Sequence, residues 1–335
     1  MSLNRTRFYR TFLVVLIGAA FALQASDSSA RRAPTSANTA SASNTNATAQ
    51  FEALSLQRSP QNHLIVRAYI NGKPALLGVD TGAPVSAIAT TRRQYYGLMP
   101  IPGTSKLPAR LMINGTFSAV GIAKSLRIGA LNLVDEPMVA INLGPESRAA
   151  RIRGEQEIDG ILGADILFPT RAVLDCQRQL LILNMEPQSQ ETTPGMDYSG
   201  FHSVPIHVSD GYNLYVDGAI NGAPAQLMVD TGAFATLLHR PFLKRMKIRL
   251  YDTPFSSAAV NLNQRGVQIA RIRRLSVGSF SIVGHDVGVI DLAGLIHGGL
   301  LEGKRPVAGL LGGELLQRHH GIIDFGARRL YLKSG

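Results

Sequence analysis

The chain has 335 residues, 45% of them hydrophobic and 17% charged, with 33 glycines; this is a globular composition long enough for two domains or one bilobal unit, and it excludes a disordered, collagen-like or mini-protein chain. Its single cysteine, Cys176, excludes an internal disulfide and a multi-cysteine zinc site, and reads as a small buried strand residue. A net charge of +11 raises nucleic-acid or anionic-surface binding, which the placement of that charge must decide.

At the start of the chain Arg5, Arg7 and Arg10 precede an apolar run of twelve residues, Phe12 to Leu23, followed by small residues. This is the shape of a secretory signal peptide over residues 1–25, with Ala22, Ala25 or Ala30 as the last residue before cleavage. The run is shorter than the ~20 residues of a membrane-spanning helix. An exported protein, periplasmic or secreted, is expected, with an N-terminal membrane anchor as the alternative. Residues 26–50 are dominated by Ser, Thr, Asn and Ala, too polar to offset the entropy of ordering. They read as a low-complexity spacer, a composition that favours this over a removable pro-segment.

From residue 51 the chain repeats itself. Residues 70–83, INGKPALLGVDTGA, match residues 220–233, INGAPAQLMVDTGA, at eleven of fourteen positions, an offset of 150. Downstream the offset is 149: LRIG at 126–129 matches LSVG at 275–278, ILG at 161–163 matches LLG at 310–312, and Asp175 matches Asp324. Two lobes are expected, 51–184 and 201–335, joined by a polar linker over 185–200 broken by Pro187, Pro194 and Gly195.

Within each copy, apolar runs flank Asn71-Gly72 and Asn221-Gly222, a type I′ hairpin signal; Asn114-Gly115 is a third. Helical patterning is confined to short segments: one near Ala89 to Tyr96, ADILF, GELLQR and PFLKRMKIRL. The fold class expected is mainly β, two duplicated lobes about a pseudo-two-fold axis with a cleft between them.

The chemistry rests on Asp80-Thr81-Gly82 and Asp230-Thr231-Gly232. Each tripeptide sits where a buried apolar strand runs out into small, turn-prone residues. Such a place holds a carboxylate rigidly, with a hydroxyl beside it and a glycine that allows close backbone approach. One copy would be weak; two in matching contexts of a duplicated unit are strong. A pseudo-two-fold fold would bring the carboxyls face to face, where they would share a proton.

These residues carry a resemblance. The chain resembles the aspartic proteases of the retropepsin and pepsin clan, most of all bacterial retropepsin-like aspartyl proteases with two fused lobes, over nearly all of 51–335. The resemblance rests on VDTGA with DGILG in one lobe and VDTGA with AGLLG in the other. It implies that Asp80 and Asp230 are the catalytic pair of an endopeptidase, that Thr81 and Thr231 bond across the lobes beneath them, and that Gly163 and Gly312 close the loop behind. It places a substrate-covering flap at Asn114 and Gly115, with residues near Asn263 to Gly266 in the corresponding place. The residue after each late glycine is Ala164 or Gly313, where viral members carry Arg, and no Tyr occurs between Tyr96 and Tyr198, where pepsin-like members carry a flap Tyr. An extended peptide or protein would be the substrate, cut by water held between the carboxyls, with no metal or other cofactor.

Other groups read more plainly. Asp165 and Glu314 follow the late glycines and read as first-turn compensation of a helix dipole; Asp175 and Asp324 read as turn residues of terminal hairpins. The eight histidines, His319-His320 included, show no metal-ligand spacing. Lobe two concentrates its charge in Arg240, Lys244, Arg245, Lys247 and Arg249 and in Arg271, Arg273 and Arg274. With no nucleic-acid motif beside it, this reads as a solvated basic face with weak attraction to anionic envelope material, on a monomer that binds no nucleic acid. A non-catalytic peptide-binding module retaining the fold is the rival reading, and an acid pair working on glycosidic bonds a further one.

Overall fold

A computed structural model describes residues 50–60, 62–100, 119–141, 143, 157–185, 196–209, 212–253, 267–297, 301 and 307–334. The expected signal peptide, all of the spacer but Gln50, the middle of the linker, and both expected flap segments, Asn114-Gly115 and Asn263 to Gly266, lie outside the described residues.

In each lobe the Asn-Gly hairpin forms. Leu64–Ile70 pairs antiparallel with Lys73–Val79, and Leu214–Ile220 with Ala223–Val229. Asn71 and Gly72 have φ of 50° and 78°, and Asn221 and Gly222 of 50° and 89°: two successive left-handed residues, a turn whose twist matches that of its strands. A longer hairpin follows, Ala119–Ile128 with Leu131–Ile141 and Gln268–Val277 with Phe280–Ile290, turning at Gly129 and Gly278 of the matched LRIG and LSVG. Burial on its first strand steps from Ala123 to Leu126, and from Ile272 to Leu275, three residues where a regular strand steps two. Opposite the step, Asp135 (φ 54°) and Gly284 (φ 65°) break the ladder, so the strand bends without exposing its core face.

The bend lets the sheet close. Lys73–Val79 pairs parallel with Gly160–Leu162, which pairs antiparallel with Ala87–Ala89, which pairs parallel with Leu131–Ile141. The ring of six strands closes where Tyr69 and Ile70 meet Arg127 and Leu126. Lobe two repeats this with Val307–Leu311 and Leu237–His239 in the two inserted places. The molecule is thus mainly β, two closed barrels of the acid-protease kind.

A third sheet of six strands joins the lobes, in the order Phe51–Ser55, Leu180–Asn184, Val173–Asp175, Ile322–Asp324, Arg329–Leu332 and His202–Pro205. At its centre Leu174 pairs with Ile323. These residues match at the 149 offset, so the pseudo-two-fold axis passes between them. Asp175 and Asp324 cap the adjoining turns: Asp175 Oδ1 accepts the amides of Gln177 and Arg178, and Asp324 Oδ1 that of Ala327.

The short helices fall at Arg93–Tyr96, Ala164–Leu167, Arg240–Arg245 and Gly313–Arg318, where their patterns place them. A further helix, Ala293–His297, was not anticipated. Two expectations are corrected. Cys176 is buried, but in the turn after Val173–Asp175 and not in a strand. Arg240 does not belong to the basic face: it is 5% exposed and its Nε donates to Gln268 Oε1 at 2.9 Å. Among the described residues no helix is long and apolar enough to cross a membrane.

Candidate active site

Lys73–Val79 and Ala223–Val229 end at Asp80 and Asp230, whose amides donate to Leu162 O and Leu311 O, both at 3.0 Å. The strand carrying each late glycine therefore holds the opposite side of the same loop. Gly163 backs directly onto it: an added Cβ would stand 2.7 Å from the Val85 carbonyl carbon and 2.8 Å from Ala83 O. Gly312 is as crowded against Ala235. Neither place admits a side chain.

The two loops interlock across the axis. Thr81 N donates to Thr231 Oγ1 at 3.0 Å and Thr231 N to Thr81 Oγ1 at 3.1 Å. The hydroxyls donate onward, Thr81 Oγ1 to Val229 O at 2.8 Å and Thr231 Oγ1 to Val79 O at 2.7 Å. Every polar group of this buried lattice has a partner in the other lobe, which sets the position of Asp80 against Asp230.

Asp80 and Asp230 are 3% and 1% exposed. Asp80 Oδ1 accepts the Gly82 amide at 2.8 Å; Asp230 Oδ1 accepts the amides of Gly232 at 2.9 Å and Ala233 at 3.0 Å. Burial first, and then the charge of Asp230, hold the Asp80 carboxyl well above the usual carboxylate range. Burial also lifts Asp230, to about 6, against the restraining amides of Ala233 and Gly232 and a hydrogen bond from Asp80. Two carboxyls so placed do not both ionise readily, and the pair holds a proton above the usual carboxylate range.

Behind each loop stands a hydroxyl that neither motif includes. Ser86 Oγ accepts the Gly163 amide at 3.0 Å and donates to Asp165 Oδ1 at 2.7 Å, and Ser86 N donates to Asp165 Oδ2 at 2.7 Å. In lobe two Thr236 Oγ1 accepts the Gly312 amide at 3.2 Å, while Thr236 N and Oγ1 bond Glu314 Oε2 at 2.8 and 3.2 Å. The dipole reading of Asp165 and Glu314 is therefore incomplete. Both lie in first turns, but their oxygens hold the loops that carry the aspartates. Ser86 and Thr236 stand 150 apart, the signal that could have found them.

The structure thus brings together Asp80, Thr81, Gly82, Asp230, Thr231, Gly232, Gly163 and Gly312. Asn114 and Gly115 lie outside the described residues. Among the described residues no group of three or more His, Cys, Asp or Glu could hold a metal ion.

Two barrels meeting at paired Asp-Thr-Gly loops define the acid-protease class. The aspartyl protease family matches residues 66–166 and again 216–315, more than half of the chain and once in each lobe. The chain belongs to this aspartyl protease family. No curated protein matches it. Among solved structures it is similar to basic 7S globulin from soybean, at 11% identity and a TM-score of 0.45, over 85% of this chain and 95% of that one. It is also similar to an aspartic proteinase from Irpex lacteus, at 14% identity and a TM-score of 0.44, over 85% of this chain and 97% of that one.

Proposed function

We propose that the protein is an aspartic endopeptidase in which Asp80 and Asp230 activate a water between them. The observation that carries this is the geometry of the pair: two buried carboxyls end matching strands, each against the glycine of the other loop, and are fixed against each other by the interlocked Thr81 and Thr231. Ionised Asp230 takes a proton from the water as its oxygen attacks the scissile carbonyl carbon. Asp80 gives its proton to the carbonyl oxygen, leaving a neutral gem-diol. On collapse the C–N bond breaks, the leaving nitrogen takes a proton from Asp230, and Asp80 recovers one from the diol.

The substrate is a peptide or protein lying extended in the cleft, its backbone paired as a strand would be and alternate side chains in pockets. Export to the periplasm or exterior is supported by Arg5, Arg7 and Arg10 before the Phe12 to Leu23 run. The exposed Lys244, Arg245, Lys247 and Arg249 support weak attraction to anionic envelope material.

The test is cleavage of a diverse peptide library from pH 4 to 8 by the mature chain, Asp80→Asn and Asp230→Asn. Cleavage by the wild type that either substitution abolishes supports the reading. A folded wild type that binds peptides without cutting them at any pH assigns the cleft to recognition instead.

A further inference from the structure

The duplication separates what the fold requires from what one lobe adds to it. In lobe two the chain after the Arg240–Arg245 helix alternates. Met246, Ile248 and Leu250 pack against the core, while Lys247 and Arg249 stand exposed with Lys244 and Arg245 of the last helical turn. Leu250–Asp252 then pairs antiparallel with Gln268–Val277, Leu250 opposite Ala270. One position on, Arg249 falls in register beside Arg271, both outward. Next on that strand comes the three-residue step that bends it, and the step turns two successive side chains out, Arg273 and Arg274.

These seven cations form one exposed face. Among the described residues their one ion pair is Arg271 Nη1 with Asp286 Oδ2, at 3.0 Å. Arg249 lies over the ring of Tyr251 at 5.0 Å, and Tyr251 is 47% exposed. Of the seven matched places in lobe one, 150 or 149 residues earlier, six are uncharged, Gln94 and Tyr95 among them. The seventh, Lys124, has its Nζ paired with Asp135 Oδ1 at 2.8 Å. The barrel of lobe one closes without this charge, and a cluster of unpaired like charges destabilises a compact state by self-repulsion. The face is an addition to the fold and no part of its support.

We propose that this face of lobe two docks the protein on the surface of an anionic phospholipid bilayer. Guanidinium forks and ammonium groups meet the phosphate headgroups at several points. The half-exposed Tyr251 beside them, apolar in its ring and polar at its tip, suits the headgroup level. Lipid is the source of the phosphate because Arg5, Arg7 and Arg10 before the Phe12 to Leu23 run have the shape of a segment that takes the chain to a membrane. The cations lie along the strand beyond Gln268, whose neighbour Val267 shares an apolar cluster with Ala233 of the Asp230 loop, so the docked face is set back from the aspartates. The proposal does not depend on the endopeptidase reading. It narrows the expected attraction to anionic envelope material to one surface and one kind of charge.

The experiment is sedimentation of the full chain with sucrose-loaded vesicles of phosphatidylcholine mixed with phosphatidylglycerol, against vesicles of phosphatidylcholine alone. One variant carries Lys244→Gln, Arg273→Gln and Arg274→Gln, whose side chains make no ion pair or ring contact among the described residues. A control carries Arg67→Gln, Lys124→Gln and Arg127→Gln, the same loss of charge from exposed places on lobe one. Circular dichroism checks that both fold, and the N-terminal apolar run is common to all three proteins. Each cation at such a surface strengthens binding roughly fivefold. The lobe-two variant should therefore bind the mixed vesicles on the order of 100-fold more weakly than wild type, and the control close to wild type. Wild-type binding should also fall steeply as salt rises from about 0.1 to about 1 M and the screening length shrinks from about 10 to about 3 Å, a test that needs no variant. Equal binding to the two kinds of vesicle, or binding that the lobe-two variant keeps, overturns the proposal. So does equal loss in both variants, which is net charge alone, and so does preference for duplex DNA over vesicles at equal phosphate, which assigns the face to nucleic acid. Binding is read without any cleavage, so a chain that cuts no peptide counts against the endopeptidase reading and leaves the vesicle result standing.

Discussion

Gly232 lies against the carboxyl of Asp80 so closely that a methyl group there would overlap both oxygens, and Gly82 lies likewise against Asp230, where an added carbon would stand 2.5 Å from Oδ1 and 2.6 Å from Cγ. Neither glycine has a positive φ. What glycine supplies at both places is space, not backbone freedom. Each Asp-Thr-Gly loop therefore presents its glycine to the other lobe's aspartate, and the third residue of the motif is part of the pair's geometry.

Gly82→Ala and Gly232→Ala should each displace a carboxyl by the better part of an ångström. Misplacement on that scale costs on the order of 10²-fold in rate, so kcat/KM should fall by about that much while circular dichroism shows the fold intact. Near wild-type cleavage by either folded variant would show that the cleft has room the packing denies.

The Thr81 and Thr231 lattice predicts a loss of stability. Valine matches threonine in shape, but Thr81→Val leaves the Thr231 amide and the Val229 carbonyl without the partners they have at 3.1 and 2.8 Å. Each buried group so stranded costs roughly 1–3 kcal/mol. Urea unfolding should show Thr81→Val destabilised by the sum and Thr81→Ser, which keeps the hydroxyl, close to wild type. Equal stabilities for the three proteins would mean that water reaches these groups.

Much of this was legible before any coordinates, for identifiable reasons. Asn71-Gly72 and Asn221-Gly222 declare their hairpins because few residues tolerate two successive left-handed conformations. The paired Asp-Thr-Gly loops declare themselves because the chain repeats. What stayed hidden is tertiary. Nothing local says that Leu174 pairs with Ile323 to join the lobes, since each strand is an ordinary apolar run. Asp165 and Glu314 were seen in first turns, where the dipole explanation sufficed, and the loop hydroxyls that claim them lie 79 and 78 residues away.

The titration of the pair predicts opposite effects on activity and stability. Cleavage needs one proton on the pair, so it should be lost as pH falls through about 6, where Asp230 protonates, and persist above that until the raised Asp80 carboxyl loses its own proton. Both carboxyls titrate above their unfolded values. Their contribution to stability is thus complete below about pH 4 and declines as pH rises through their folded values. Asp230→Asn removes the Asp230 part of that decline, and at pH 7 should be more stable than wild type by on the order of 1–3 kcal/mol, with little difference at pH 4. Unfolding curves at the two pH values decide it; a variant less stable than wild type at pH 7 would mean that the ionised pair is solvated.

A second titration distinguishes the lobes behind their active-site loops. Glu136 and His285 occupy matched places on the long hairpins, 285 − 136 = 149 residues apart. His285 Nε2 lies 3.1 Å from Glu314 Oε1, an imidazole beside a carboxylate. In lobe one the corresponding neighbours are both acids: burial and then the charge of Asp165 push Glu136 up to about 7, and burial raises Asp165 itself against the bonds from Ser86. Lobe one therefore needs a proton where lobe two has a nitrogen. Because Glu136 titrates above its usual value of 4.5, its contribution is present at low pH and lost as pH rises through about 7. Glu136→Gln supplies a permanent donor in place of that proton. It should leave stability unchanged near pH 5 and raise it at pH 8, flattening the pH dependence of urea unfolding between them. Wild type and Glu136→Gln curves that run parallel from pH 5 to 8 would show that Glu136 is charged throughout and that the two lobes are braced alike.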